Sequence, residues 1–338
     1  MTRICFLGGG AIGGILAGHL ATVEGLEVSL VGRRPMVEAI RRDGLRVLST
    51  VGEIHSRPHA VERTEELGPQ DYVFLTVKTQ QMDSVLPSLP PLLGPETVVL
   101  PPTTGIPYWF FHGIEGEFRD RRLERIDPGG RHWAAIDPAR VLGVVYWTAA
   151  EVVAPGVVRH HRERPNCPIG EPNGSLSERA LRLGRAMEAS GINAPVSTRI
   201  RDEIWIKMVN SLCWNPVACL TLARNREIAA SPEASATVRR MMEEADAVGE
   251  RLGLSIPVPI EERLRLTGAT AHRMSMLQDL ERGRPLEFEV LAASHAEMRA
   301  LAGLPTPTLD TVYGLMALRA AAHDRSRAAQ AQPAAAGG

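Results

Sequence analysis

At 338 residues the chain exceeds the roughly 100–200 residues of one ordinary domain, so two domains are expected. Apolar residues at 44% and charged residues at 23% are the balance of a globular protein, and 38 basic against 39 acidic side chains leave a net charge of −1. That near-neutrality excludes a general pull toward nucleic acid or an acidic membrane. The four cysteines (5, 167, 213 and 219) form no CxxC pair, which argues against a disulfide framework or a metal site and for a cytoplasmic home.

Residues 4–23 hold no Asp, Glu, Lys or Arg and follow Arg3, superficially the pattern of a signal peptide or membrane span. Six glycines (8, 9, 10, 13, 14, 18) interrupt the stretch, each costing about 1 kcal/mol in a helix interior. No small-residue cleavage site leads into a polar start, so neither reading is adopted.

The stretch reads instead as strand, glycine turn and helix. Ile4-Cys5-Phe6-Leu7 is a short apolar run of the kind a strand buried on both faces needs, and a helix over 11–20 and a strand over 27–31 follow. Further strands are expected at 72–77, 97–100 and 141–148, with a helix at 36–43 between the earlier ones. Strands alternating with helices predict a mostly parallel sheet. Residues 113–140 break the rhythm with charge, Gly and Pro and read as an irregular excursion. A helix is predicted over 176–190, with apolar positions at 176, 180, 183 and 187 on one face. Beyond residue 199 the pattern turns helical, with helices expected at 200–222, 238–252, 260–280, 286–301 and about 308–321 and no convincing strand. The Ala, Gln, Pro and Gly that follow are expected to be disordered. The predicted organisation is an α/β Rossmann-type domain over 1–198, an all-α domain over 199–322 and a tail over 323–338.

Gly8-Gly9-Gly10-Ala11-Ile12-Gly13 fits G-x-G-x-x-G directly after a strand and at a helix start. Gly8 permits the tight turn, Gly10 lets a pyrophosphate approach the backbone, and Gly13 allows close helix–strand packing. The first-turn amides, with Ala11 and Ile12, then favour the anion. Where an NAD enzyme carries Asp or Glu after the second strand, this chain has Gly32-Arg33-Arg34. Two forked guanidiniums match a 2′-phosphate, which points to NADP; a solvated basic turn is the plainer alternative. Lys78 and Gln81 follow the strand at 72–77, at the carboxyl edge where doubly wound sheets bind ligands, although an isolated loop lysine is as often plain surface.

In the second half, Lys207, Ser211 and Asn215 stand at i, i+4 and i+8 and form one polar stripe on an otherwise apolar helix. Pro216 cannot donate to the carbonyl of Leu212, which must find another partner. On this segment alone, a lysine snorkelling to solvent is the simpler account.

Taken together, the glycine turn, Arg33, Val77-Lys78…Gln81 and the Lys207…Asn215-Pro216 stripe resemble the ketopantoate reductase family. Ser275-Met276-Leu277-Gln278-Asp279 followed by Gly283-Arg284-Pro285-Leu286-Glu287 is similar to that family's SMLQD…GRxxE signature. The resemblance runs in order from Ile4 to about Arg319. It implies NADPH-dependent reduction of a 2-oxo acid, 2-dehydropantoate to pantoate in pantothenate synthesis, with the site between a Rossmann domain and a helical one. Lys207 matches the family's general acid and Asn215 an asparagine that supports it. Glu287 matches the glutamate that bonds substrate hydroxyls, and Ser275 the serine that holds the substrate carboxylate.

Three positions depart from the family pattern. Thr104-Gly105 replaces an Asn-Gly, Ser211 replaces a second asparagine on the lysine helix, and His272 replaces an asparagine before Ser275. Thr104, Ser211 and His272 are therefore expected at the substrate, Thr104 also beside the cofactor, in a pocket with altered polar contacts. These departures keep two alternatives open: a reductase of another branched or aromatic 2-oxo acid or imine, and a non-catalytic NADPH-binding regulator. The apolar helices of the second half would permit a homodimer. Elsewhere, His160-His161 reads as a surface pair, Tyr108-Trp109-Phe110-Phe111 as a core plug, Met241-Met242 as helix packing and Glu243-Glu244 as a solvated face.

Overall fold

The computed structural model describes residues 1–270 and 273–331, and its contacts divide the chain into two compact units, Met1–Ile204 and Trp205–Gly338. Among the described residues no helix is long and apolar enough to cross a membrane.

The first unit runs β1 (Thr2–Leu7), α1 (Ala11–Leu20), β2 (Leu26–Val31), α2 (Arg34–Asp43), β3 (Leu45–Ser49), β4 (Gly52–Ser56), β5 (His59–Val61), β6 (Tyr72–Leu75), α3 (Met82–Val85) and β7 (Val98–Leu100). It continues with α4 (Arg131–Ala135), β8 (Gly143–Val144), β9 (Ala150–Ala154), β10 (Val157–His160), β11 (Ile169–Gly170) and α5 (Glu178–Ala189). Its main sheet is parallel throughout in the order β5-β2-β1-β6-β7, which puts the reversal of strand order between β1 and β6. β1 and β6 are apolar on both faces because both faces are covered: Ile4 to Phe6 and Tyr72 to Leu75 are wholly buried.

A second, four-stranded sheet in the order β4-β3-β10-β9 has no counterpart in the sequence reading. It packs on α1, and it explains the glycine-rich apolar stretch. A Cβ on Gly14 would lie 2.7 Å from Val158 of β10, and one on Gly18 would lie 2.4 Å from Val47 of β3. Every residue of α1 from Gly13 to Leu20 is buried, so the helix is apolar all round without spanning a membrane.

Several expectations need correction here. The strand predicted at 141–148 reduces to the two residues of β8, paired antiparallel to β11. Leu176 is exposed and precedes α5, whose cap is Ser177. His160 is not a surface residue: β10 alternates, turning Val158 and His160 inward and Arg159 outward. The core plug expected at Tyr108 to Phe111, by contrast, stands: all four are buried, and Arg201 holds the segment by donating to the carbonyls of Phe110 and His112.

Helix α6 (Ile200–Thr221) crosses the boundary between the units. The second unit then adds α7 (Asn225–Ala230), α8 (Pro232–Arg251), α9 (Ile260–Gly268), α10 (Ser275–Glu281), α11 (Phe288–Ala302) and α12 (Pro307–Ala331), with no strand among its described residues. Its core is built on Trp205 and Trp214. Gly249 of α8 lies so close to the Trp205 ring that a Cβ would sit 2.7 Å from it. A buried ion pair between Asp246 and Arg263 joins α8 to α9.

The single helix expected over 260–280 is two. The first ends on Gly268, a stop signal that the reading over 260–280 passed over, and tertiary contacts fix the break: Asn225 bonds the Thr270 hydroxyl at 3.2 Å and the Arg226 amide donates to the Thr270 carbonyl. Glu244 is not a solvated side chain: its two oxygens accept from the amides of Thr308 and Leu309 and cap α12. The tail expected to begin at 323 is helical to Ala331.

Candidate active site

In the first unit the candidate cofactor residues gather at the carboxyl ends of the parallel strands. Gly8 has φ +127° and a Cβ there would lie 2.8 Å from the backbone of Thr76. A Cβ on Gly13 would lie 2.1 Å from the Gly8 carbonyl oxygen and 2.5 Å from Thr76 Oγ1. Both positions therefore admit only glycine. At Gly10 the nearest atom is 4.0 Å away, so the backbone there is open to approach. Gly10 also occupies the cap position of α1 with no side-chain cap and no acid in the first turn. The amides of Ala11, Ile12 and Gly13 lack an intrahelical acceptor and face outward with the positive helix end. Thr76, which sequence reasoning missed, donates from its hydroxyl to the Gly8 carbonyl at 2.8 Å and ties the glycine turn to the end of β6. Its place at the carboxyl end of the strand predicted over 72–77 was the available signal.

Gly32 approaches Gly9 closely, so the end of β2 lies against the glycine turn. The next residue, Arg33, is exposed at the start of α2; its carbonyl accepts from the amides of Met36 and Val37, and its side chain makes no hydrogen bond or ion pair among the described residues. Arg34 is paired with Glu38 at 2.8 Å, one helical turn along. Lys78 is half-buried. Its amide donates to Gln81 Oε1 at 3.2 Å, so Gln81 shapes the loop that carries the lysine. Thr79 donates to the Thr104 carbonyl at 3.1 Å and joins this loop to the one after β7, where Gly105 takes φ +76°.

In the second unit the polar stripe of α6 holds Lys207 and Ser211, both half-buried, and Asn215, which is 2% exposed. Asn215 Nδ2 donates to the Ser211 carbonyl at 3.0 Å, and its Oδ1 accepts from the Met276 amide at 3.1 Å. One buried amide therefore fixes the first turn of α10, where Ser275 is exposed, against the helix that carries Lys207. Asn210 faces elsewhere and accepts from Thr267 Oγ1 at 2.9 Å. His272 lies outside the described residues.

Pro216 continues α6 without an amide hydrogen, and the Leu212 carbonyl finds its partner in the Tyr313 hydroxyl of α12 at 3.2 Å. Burial pushes the Tyr313 phenol well above its ordinary pKa, so it remains a donor. The Tyr313 ring stacks on Phe288 at 5.6 Å, and the preceding residue is Glu287, half-buried at the start of α11 with Oε1 buried. Nothing in the sequence marked Tyr313, which lies 101 residues from its partner.

Two family models match the chain: ketopantoate reductase PanE/ApbA over residues 4–174 and its C-terminal counterpart over 199–320. A 2-dehydropantoate 2-reductase of Mesorhizobium japonicum is 42% identical over 93% of this chain and 96% of its own. Among solved structures, a putative ketopantoate reductase from Ralstonia solanacearum superposes with a TM-score of 0.87 at 35% identity, covering 96% of this chain and 99% of its own. The 2-dehydropantoate 2-reductase of Methylococcus capsulatus gives 0.79 at 26% identity, over 95% and 97%.

Proposed function

The chain belongs to the ketopantoate reductase family, a family of pyridine-nucleotide-dependent oxidoreductases, and from that premise we propose that it reduces 2-dehydropantoate to pantoate with NADPH. The observation that carries the reading is the junction at Asn215, which joins the lysine helix to the helix that begins at Ser275.

The first unit fits a dinucleotide. The cradle at Gly8, Gly10 and Gly13 has no room for a side chain where the turn closes and has open backbone where a pyrophosphate would approach. The amides of Ala11 and Ile12 would face its oxygens, and Arg33, with Arg34 behind it, would take the 2′-phosphate. Lys78, Gln81 and Thr104 would border the same edge. When bound, the reduced nicotinamide supplies a hydride to the ketone carbon. The Lys207 ammonium would meet the ketone oxygen and transfer a proton to it as negative charge grows there, a contribution of about 10²–10⁴-fold for a positioned general acid. Asn215 would hold the helix that presents it. Glu287 would accept from the substrate hydroxyls, and Ser275, with Ser211 and Thr104, would donate to the substrate's oxygens.

Thr104 and Ser211 are smaller than the asparagines of the family pattern, which favours as a second reading a substrate with a different acyl group. A panel of 2-oxo acids, branched and aromatic, with and without amines and with NADPH and NADH side by side, decides. Fastest NADPH oxidation with 2-dehydropantoate is expected, and Lys207→Ala should lose about 10²–10⁴-fold in kcat with NADPH affinity kept. Turnover confined to mixtures containing an amine would remove the ketone reading, and wild-type kcat in the lysine variant would remove the mechanism.

A further inference from the structure

The last turns of α12 lie past the end expected from the sequence, and their contacts fall on one short stretch of chain. His323 Nε2 is 2.8 Å from the Arg284 carbonyl oxygen, and since a carbonyl only accepts, Nε2 is the donor. One helical turn on, Arg327 Nε donates to the Gly283 carbonyl at 3.1 Å, and its Nη1 bonds Asp324 at 3.2 Å, which orients the guanidinium. Gly283 takes φ +63°, and the Arg284 amide closes the turn onto the Asp279 carbonyl at 2.8 Å. Pro285 stiffens the next step, and three residues after Arg284 comes Glu287.

The same helix holds the far side of Glu287, because Tyr313 stacks on Phe288. Tyr313 and His323 are ten residues apart, about 15 Å along a helix, so α12 spans the whole turn. A cleft lies beside these bonds, lined by Pro285, Leu286 and Glu289 on one side and by Asp324, Arg327 and Ala328 of α12 on the other. The two carbonyl hydrogen bonds hold the turn against α12 across the edge of this cleft.

We propose that His323 and Arg327 are positioning residues that place the Glu287 carboxylate for its substrate. This rests on the reading of Glu287 given above. Both side chains act on main-chain carbonyls at the surface, so removing them leaves the core of the second unit intact while freeing the turn. A carboxylate displaced by about 1 Å from a productive geometry costs up to about a hundredfold. The chain therefore uses a segment of tail-like composition to assemble its substrate site.

The experiment compares the full-length wild type, the double variant His323→Ala/Arg327→Ala, Arg327→Lys and Glu287→Gln. In the double variant KM for 2-dehydropantoate should rise roughly tenfold or more, with kcat falling less and with NADPH affinity and Tm unchanged. Arg327→Lys, which keeps a donor, should recover part of the loss. Wild-type KM and kcat in the double variant, beside a Glu287→Gln that is impaired, would overturn the proposal alone. A defect that moves together with Tm and NADPH affinity would overturn it too. Wild-type kinetics in Glu287→Gln would remove the reading beneath it.

Discussion

Substituting Tyr313 by Phe tests whether the proline in α6 created the need for a hydroxyl on α12. The ring and its stacking on Phe288 survive the change, and only the donor to the Leu212 carbonyl is lost. Leu212 is 1% exposed and Pro216 offers no amide, so the carbonyl is stranded. An unsatisfied buried group costs about 1–3 kcal/mol. Pro216→Ala restores the missing amide, and in that background the same Tyr313→Phe should cost less than about 0.5 kcal/mol. The cycle therefore predicts a coupling on the order of 1 kcal/mol or more. Urea titrations of the four proteins, followed by far-ultraviolet circular dichroism and compared at constant m, measure it. Additive single effects would refute the account, because they would mean that the hydroxyl and the proline do not share a carbonyl.

Three further predictions follow from single positions. Gly13→Ala places a methyl 2.1 Å from the Gly8 carbonyl, a clash with backbone that nothing nearby relieves, so NADPH binding should fall by an order of magnitude or more in calorimetry while Lys207 is untouched. Burial holds the His160 imidazole at a pKa of about 4 against 6.5. The unfolded chain then binds more protons than the folded one between those values; the contribution, about 3 kcal/mol, is complete above pH 6.5 and is lost as the pH falls toward 4. His160→Leu should flatten the decline of the denaturation midpoint between pH 7.5 and 5, and an unchanged slope would count against the assignment. Leu222 ends α6 at φ +58° with its side chain 54% exposed, so Leu222→Gly should stabilise by about 0.5–1 kcal/mol in thermal unfolding.

Local chemistry was sufficient for the parts of this protein that obey local rules. The glycine turn is legible because backbone crowding at Gly8 and Gly13 depends on a handful of neighbouring atoms, and a strand buried on both faces must be apolar at every position. The i, i+4 spacing likewise put Lys207, Ser211 and Asn215 in one row, and the missing amide of Pro216 announced a carbonyl in need of a donor. Which donor would come was another matter, since Tyr313 is brought there only by the packing of α12. The second sheet escaped notice because β3 pairs with β10 across more than a hundred residues, and neither strand is long enough to stand out by alternation. Glu244 read as solvent-facing until the first turn of α12 supplied two amides for it. The end of α12 read as tail because alanine-rich composition says nothing about whether a turn elsewhere offers carbonyls to bond. Pattern and propensity act over a few residues, whereas the partner of a buried or terminal polar group is chosen by whichever distant segment the fold delivers.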